Sequence, residues 1–217
     1  MNRTDDNEQV VQRREKLSVL REATNAFPND FRRDANAADL LKRFGAHDAE
    51  TLESEVVGLS LAGRLMTKRV MGKAAFAHVR DESGDIQIYA QRDSLPEGIY
   101  NGLFKKLDLG DIIGVEGTLF RTRTGELTVN ITNIRLLVKA LRPMPEKYHG
   151  LTDIETRYRQ RYVDLLANQD SREVFKKRAR TMASLRRFLD ARDYLEIESP
   201  IMQAIPGGAN AKPFITH

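Results

Sequence analysis

Six side chains between Arg64 and Tyr89 are of the types that hold an unpaired nucleic-acid base. Phe76, His78 and Arg80 alternate with Ala75, Ala77 and Val79, and Gln87 and Tyr89 alternate with Ile86, Ile88 and Ala90. Successive side chains of a β-strand point to opposite faces. Each segment therefore has a small apolar face suited to a barrel interior, and the two outer faces together carry two aromatic rings, a carboxamide, an imidazole and a guanidinium group. Arg64 joins the outer face by the alternation of the preceding segment. On such a surface a ring stacks a base for about 1–3 kcal/mol. An amide reads an unpaired base edge, and guanidinium groups meet phosphate or a second base. The competing reading packs Phe76 beneath the N-terminal helices or a loop. His78 reads as structural or solvated rather than as a ligand, because the 4 His of the chain show no metal-binding spacing.

The elements that must position these residues follow from periodicity. From Glu8 to Thr24 there is no Gly or Pro, and the loose helical spacing of Val10, Leu17 and Leu20 predicts a charged amphipathic helix ending before Pro28. Asn36 is suited to cap a second helix, Ala37–Phe44, closed by Gly45. After residue 54 the period becomes two. Strands are predicted over 55–70, 74–80, 85–90, 112–121 and 126–138, with Glu82-Ser83-Gly84-Asp85 as a turn and a short helix around Tyr100–Leu107. Five strands with a helix between the third and fourth is the order of an OB-fold, a small Greek-key barrel whose second and third strands form a binding face. Pro143 and Pro145 stiffen a linker, beyond which helices are predicted over 154–168 and 171–192 and a strand over 194–198. Phe175, Ala179, Met182, Leu185 and Leu189 form one apolar stripe. The fold expected is α+β with a mainly β core: an N-terminal helical extension (1–54), a five-stranded OB barrel (55–145) and the beginning of another domain (146–217).

Composition narrows the classes. The chain has 217 residues, 35 Lys+Arg against 31 Asp+Glu, and no Cys. Disulfide scaffolds and cysteine-ligated zinc are excluded. No secretory leader opens the sequence and nowhere do about 18 apolar residues run together, so a soluble, cytoplasmic protein without membrane contact is expected. Net charge by segment is −1 for residues 1–50, +2 for 51–145 and +3 for 146–217. A surplus this small suits local basic grooves and does not suit a protein that coats nucleic acid.

Longer motifs then point further. FPNDFRRD at 27–34, VMGKAAF at 70–76, LPEG at 95–98, FRTRTGEL at 120–127, KALRPMPEKYHGL at 139–151, RYRQRYVDLL at 157–166 and IPGGANAKPFITH at 205–217 resemble, in collinear order, the N-terminal part of the bacterial class II lysyl-tRNA synthetases. The resemblance implies an anticodon-binding OB domain followed by the entry to a class II catalytic domain. It implies that Phe76 stacks on the central uridine of a lysine anticodon and that Gln87 bonds to the edge of that uridine. It places Arg64 near the third anticodon base, Lys68 and Arg69 beside the anticodon loop, and Glu126 near the first base. The segment ARDYLEIESPIMQ at 191–203 resembles motif 1, the homodimer-forming helix and strand, with Pro200 as its proline. The family usually has Gly where this chain has Asp193, at the turn between helix and strand, where a left-handed conformation suits Gly better than Asp. Gly207 and Gly208 resemble the loop that approaches bound lysine.

The family activates lysine with ATP and magnesium and transfers it to tRNA, using motif 2 and motif 3 residues that are not in this sequence. The resemblance therefore implies a lysine–tRNA ligase portion that binds the tRNA anticodon, holds no catalytic residue, cofactor or metal of its own, and does not aminoacylate. The rival from another class is a stand-alone OB-fold tRNA- or single-strand-binding module. A weaker rival is an aspartyl- or asparaginyl-tRNA synthetase.

Overall fold

The computed structural model describes residues 8–145 and 151–200. It divides into two compact units, Met1–Met144 and Pro145–His217.

The first unit opens with α1 (Glu8–Ala23), α2 (Ala37–Phe44) and α3 (Ala49–Glu55). Asn36 caps α2 as its residue type requires, accepting from the Asp39 N–H at 2.9 Å. Helix α3 lies where no helix was predicted. Asp48 caps it by accepting from the Thr51 N–H at 2.8 Å, and only Leu52 is buried, so the segment has no apolar stripe to announce it. Strand β1 accordingly starts at Gly58 and runs to Met71.

The remaining strands are β2 (Ala74–Arg80), β3 (Asp85–Gln91), β4 (Ile112–Arg121) and β5 (Leu127–Val138), with the short α4 (Ile99–Gly102) and a 3-10 turn at Phe104–Lys106 between β3 and β4. They close in the order β1-β2-β3-β5-β4, and β4 returns to pair with β1. Only the β3–β5 pair is parallel. The expected five-stranded OB barrel is thus present. Leu61, Leu65, Ala75, Ala77, Val79, Ile88, Ala90, Ile113, Val115, Val129 and Ile131 fill it, with Tyr100 and Phe104 joining from α4 and the 3-10 turn. Opposite the β5 bulge at Thr132, Gly117 of β4 is obligatory: a Cβ there would meet the Asn130 carbonyl oxygen at 2.1 Å.

Charge ties the first helix to the barrel. Arg13 Nη1 donates to the carbonyls of Leu109, Ala140 and Arg142 at 3.0–3.2 Å. Lys16 pairs with Asp108 at 2.8 Å, and the buried Lys139 reaches Asp108 at 2.6 Å and Asp111 at 2.8 Å. The segment 27–34 is anchored similarly, through Asp30–Arg135, Arg33–Glu82 and the Asp34 carboxylate on the Ser60 N–H.

The second unit contains α5 (Ile154–Arg159), α6 (Arg161–Ala167) and α7 (Gln169–Asp190). The single helix predicted over 154–168 is broken at Gln160, which leaves helical geometry at φ −118°, ψ 57°. Asp164 organises all three helices from a fully buried position. It accepts from Arg157, Asn168 and Ser171 at 2.7–3.1 Å and from Arg161. Burial alone would raise the pKa of Asp164, but the bonds from Asn168, Arg157 and Ser171 prevail and hold it at about 2. A carboxylate whose pKa is depressed on folding stabilises above its unfolded value and loses that contribution as pH falls through the folded value. The α5–α7 unit is expected to lose helicity between about pH 4 and pH 2, and Asp164→Asn to abolish that transition when circular dichroism is followed against pH.

Past the end of α7 the Asp193 N–H bonds to the Asp190 carbonyl at 3.0 Å and the Tyr194 N–H to the Leu189 carbonyl at 3.2 Å. This is the Schellman closure, with Asp193 at φ 62° in its left-handed position. Asp193→Gly should raise the stability of this unit by about 1 kcal/mol, read as the urea midpoint of helix loss. The strand predicted over 194–198 is absent: Tyr194, Leu195 and Ile197 are exposed and irregular. A strand needs a hydrogen-bonding neighbour, and no described residue supplies one. The apolar stripe of α7 is likewise exposed.

Candidate nucleic-acid interface

Strand register turns the outer face into a grid. One row runs Arg64, Arg80, Asp85; the next Thr67, His78, Gln87, Thr128, Phe120; the third Arg69, Phe76, Tyr89, Asn130, Thr118. A bulge in β1 between Leu65 and Thr67 decides which basic residues belong to it. Before the bulge Arg64 faces out with Arg80. After it the phase inverts, so Arg69 stands opposite Phe76 while Lys68 stands opposite the interior Ala77.

The aromatic rings form a tilted chain. Phe76 and Tyr89 have centroids 4.9 Å apart at 42°, and Tyr89 meets Phe120 at 5.8 Å. Tyr89 and Phe120 lie on either side of β5, so their contact roofs its outward residues. Beside the rings is a polar relay. Glu126 Oε1 lies 3.2 Å from His78 Nε2 and Oε2 accepts from Gln87 Nε2 at 2.7 Å. Gln87 Oε1 accepts from the Thr128 hydroxyl at 2.8 Å, and His78 Nδ1 lies 2.9 Å from Thr67 Oγ1. With a neutral ring, the Nε2–H tautomer of His78 satisfies both contacts.

The basic residues divide. Arg69 is exposed beside Phe76, and its side chain makes no hydrogen bond to the described residues. Arg64 is half-buried and donates one guanidinium nitrogen to the Gly110 carbonyl at 2.7 Å. Lys68 turns away from the face: its ammonium meets the carbonyls of Phe104, Lys105 and Leu107. Burial pushes the Lys68 pKa below the usual lysine range, against the pull of Asp108. Arg80 is held in a bidentate pair by Asp85 at 2.5 and 2.6 Å.

Of the residues singled out by sequence, the fold brings Phe76, Gln87, Glu126 and Arg69 together, with Arg64 in the adjoining row and Lys68 outside it. Pro200 is exposed, and Gly207 and Gly208 lie outside the described residues. Thr67, Thr128 and Phe120 join the face without having been predicted. The alternation of Leu127, Val129 and Ile131 does point Thr128 outward, but that β5 borders β3 is a property of barrel closure that periodicity does not carry. Among the described residues no group of three or more His, Asp or Glu could hold a metal ion, and no helix is long and apolar enough to cross a membrane.

An OB barrel with tilted aromatic rings and a doubly bonded carboxamide on the outer face of its second and third strands has the architecture of the domains that bind oligonucleotides and oligosaccharides. Comparison with known proteins agrees: residues 59–137 match the family described as OB-fold nucleic acid binding domain, and residues 153–217 match tRNA synthetases class II (D, K and N). The chain is 57% identical over 213 residues to the heat-inducible lysine–tRNA ligase of Escherichia coli K12 and 58% identical over 213 residues to the lysine–tRNA ligase of Sodalis glossinidius. It is 58% identical over 208 residues to that of Thioalkalivibrio sulfidiphilus. The matches cover 96–98% of this chain and 42% of each relative. Along nearly its whole length, then, the chain is similar in sequence to the N-terminal portion of bacterial lysine–tRNA ligases.

Proposed function

We propose that this chain is the tRNA-recognising portion of a lysine–tRNA ligase and that residues 55–145 bind the anticodon loop of lysine tRNA in the cytoplasm. The observation that carries this reading is the juxtaposition of the Phe76–Tyr89 rings with a Gln87 carboxamide whose two ends are already fixed. A base stacked on Phe76 presents its pairing edge beside Gln87. Uracil offers acceptor, donor and acceptor along that edge, and the amide has one unused N–H and one unused lone pair to answer them. Arg69 beside Phe76, and Arg64 one row beyond Gln87, supply positive charge for the flanking bases or phosphates, and Glu126 borders the first base. Lys68 contributes by supporting the barrel end.

The parent activity would form lysyl-adenylate from lysine and ATP with magnesium and pass lysine to the tRNA end. Gly207 and Gly208 would approach the lysine, and the motif 1 segment ending at Pro200 would enter a homodimer interface. The described residues contain no acidic cluster for magnesium, and no step is assigned to them beyond binding.

The test is a pair of anticodon stem-loops, one with the lysine anticodon and one with its central uridine replaced by cytidine. Fluorescence anisotropy should give at least about a tenfold preference for the uridine loop, the scale of one lost edge contact plus one misplaced donor. Equal binding would favour the generic single-strand module. The polypeptide as it stands should give no lysine-dependent ATP–pyrophosphate exchange, and measurable exchange would overturn that part of the reading.

A further inference from the structure

Thr128 is wholly buried although strand alternation places it on the outward face between Gln87 and Phe120. Its hydroxyl has a single proton. The Gln87 Oε1 at 2.8 Å is nearer than the competing Glu126 carbonyl at 3.2 Å. The polarity of this contact is dictated from the other end of the amide. A carboxylate only accepts, so Glu126 Oε2 at 2.7 Å must face the Gln87 amide nitrogen. The amide oxygen then faces Thr128, and Thr128 must donate.

We propose that Thr128 and Glu126 are positioning residues that lock the direction of the Gln87 carboxamide and so make it select uridine over cytidine. This assignment rests on the anticodon reading given above and deepens it. A freely flipping carboxamide is indifferent to the two pyrimidines. With its oxygen on one side it donates to O4 and accepts from N3–H of uracil, and with the amide reversed it accepts from the N4 amino group and donates to N3 of cytosine. A base held by stacking on Phe76 cannot turn over to compensate. Fixing the amide from both sides therefore excludes the cytosine pattern. The two anchors differ in character: Glu126 is half exposed and sets the polarity, while Thr128 is buried and holds the amide in place.

The experiment has two readouts on the intact chain. The first is the side-chain amide of Gln87 by ¹H–¹⁵N NMR, assigned by its disappearance in Gln87→Ala. The unaltered chain should show a dispersed, slowly exchanging NH2 pair; Thr128→Val should move it toward the positions of a solvent-exposed glutamine, and Thr128→Ser should restore it. The second is the ratio of dissociation constants for the two stem-loops that differ only at the central pyrimidine. Thr128→Val and Glu126→Gln should each lower that ratio about fivefold, the worth of one hydrogen bond, with Thr128→Ser near the unaltered value. Any change that Glu126→Gln causes at the first base cancels in the ratio. Gln87 resonances unmoved by Thr128→Val, or a ratio unmoved by both substitutions in a chain that does prefer uridine, overturn the positioning assignment. Equal binding of the two loops by the unaltered chain overturns the anticodon reading instead.

Discussion

Lys139→Met should destabilise the barrel by about 3–5 kcal/mol, because it removes the only cation that, among the described residues, is bonded to Asp111, a carboxylate with no access to water. Asp111 is fully buried and Lys139 Nζ lies 2.8 Å from both its oxygens. The remaining partners of Asp111 are the backbone N–H groups of Asp108 and Ala140, each at 2.8 Å. They are dipoles, and the Lys68 ammonium acts on Asp111 only through space, so most of the charge is left uncompensated. Methionine keeps the apolar stem, so the loss isolates the ammonium. The same substitution loosens Asp108, whose pKa burial would raise but which bonds from Lys139 and Lys16 hold below the usual carboxylate range. Native-state hydrogen exchange at the barrel amides of Ile88 and Val129 reads the change. Adding Asp111→Asn to Lys139→Met removes the stranded charge and should recover about half of the loss or more. A change below about 1 kcal/mol for Lys139→Met would mean that the pair is no stronger than a surface contact.

Phe76→Ala should weaken binding of the lysine anticodon loop by about 5- to 150-fold, the span of 1–3 kcal/mol assigned to one base stacked on one ring. Phe76 is half-buried on the outer face, and its removal leaves the barrel interior untouched. The cost to the free protein is the contact with Tyr89, about 0.5–1.5 kcal/mol. Phe76→Tyr should keep affinity, since it retains the ring, whereas Phe76→Leu should fall with alanine because bulk without a π-face does not stack. Stem-loop titrations by anisotropy separate these outcomes. Equal losses for Phe76→Ala on the uridine and cytidine loops are expected as well, because stacking tolerates any base while the amide carries the choice between them.

How much of this was legible beforehand depends on the kind of information each feature needs. The strands could be read because inward Ala, Val and Ile alternate with polar residues, and a two-residue period has one structural meaning. Phe76 and Gln87 followed from the same alternation. The position of Lys68 did not, because one extra residue in β1 inverts the faces and no feature of Met66-Thr67-Lys68 announces it. Helix α3 escaped because seven mostly acidic and polar residues with one buried leucine have no apolar period. The strand over 194–198 was read from residue preference alone, yet a strand exists only through its neighbours. Thr128 was hidden for a similar reason: its importance comes from lying next to Gln87, across 41 residues of sequence, by a parallel pairing that local pattern cannot express.

That parallel pairing also sets an order of events during synthesis. The first three strands, consecutive and antiparallel, carry Phe76, Tyr89 and Gln87 and are translated first. Glu126 and Thr128 are translated some forty residues later, roughly two to eight seconds at ordinary elongation speeds. Until β5 inserts beside β3, Gln87 lacks both of the side chains that bond its amide in the complete barrel. On the proposed anticodon reading, the choice between pyrimidines would arrive only with the last strand of the barrel.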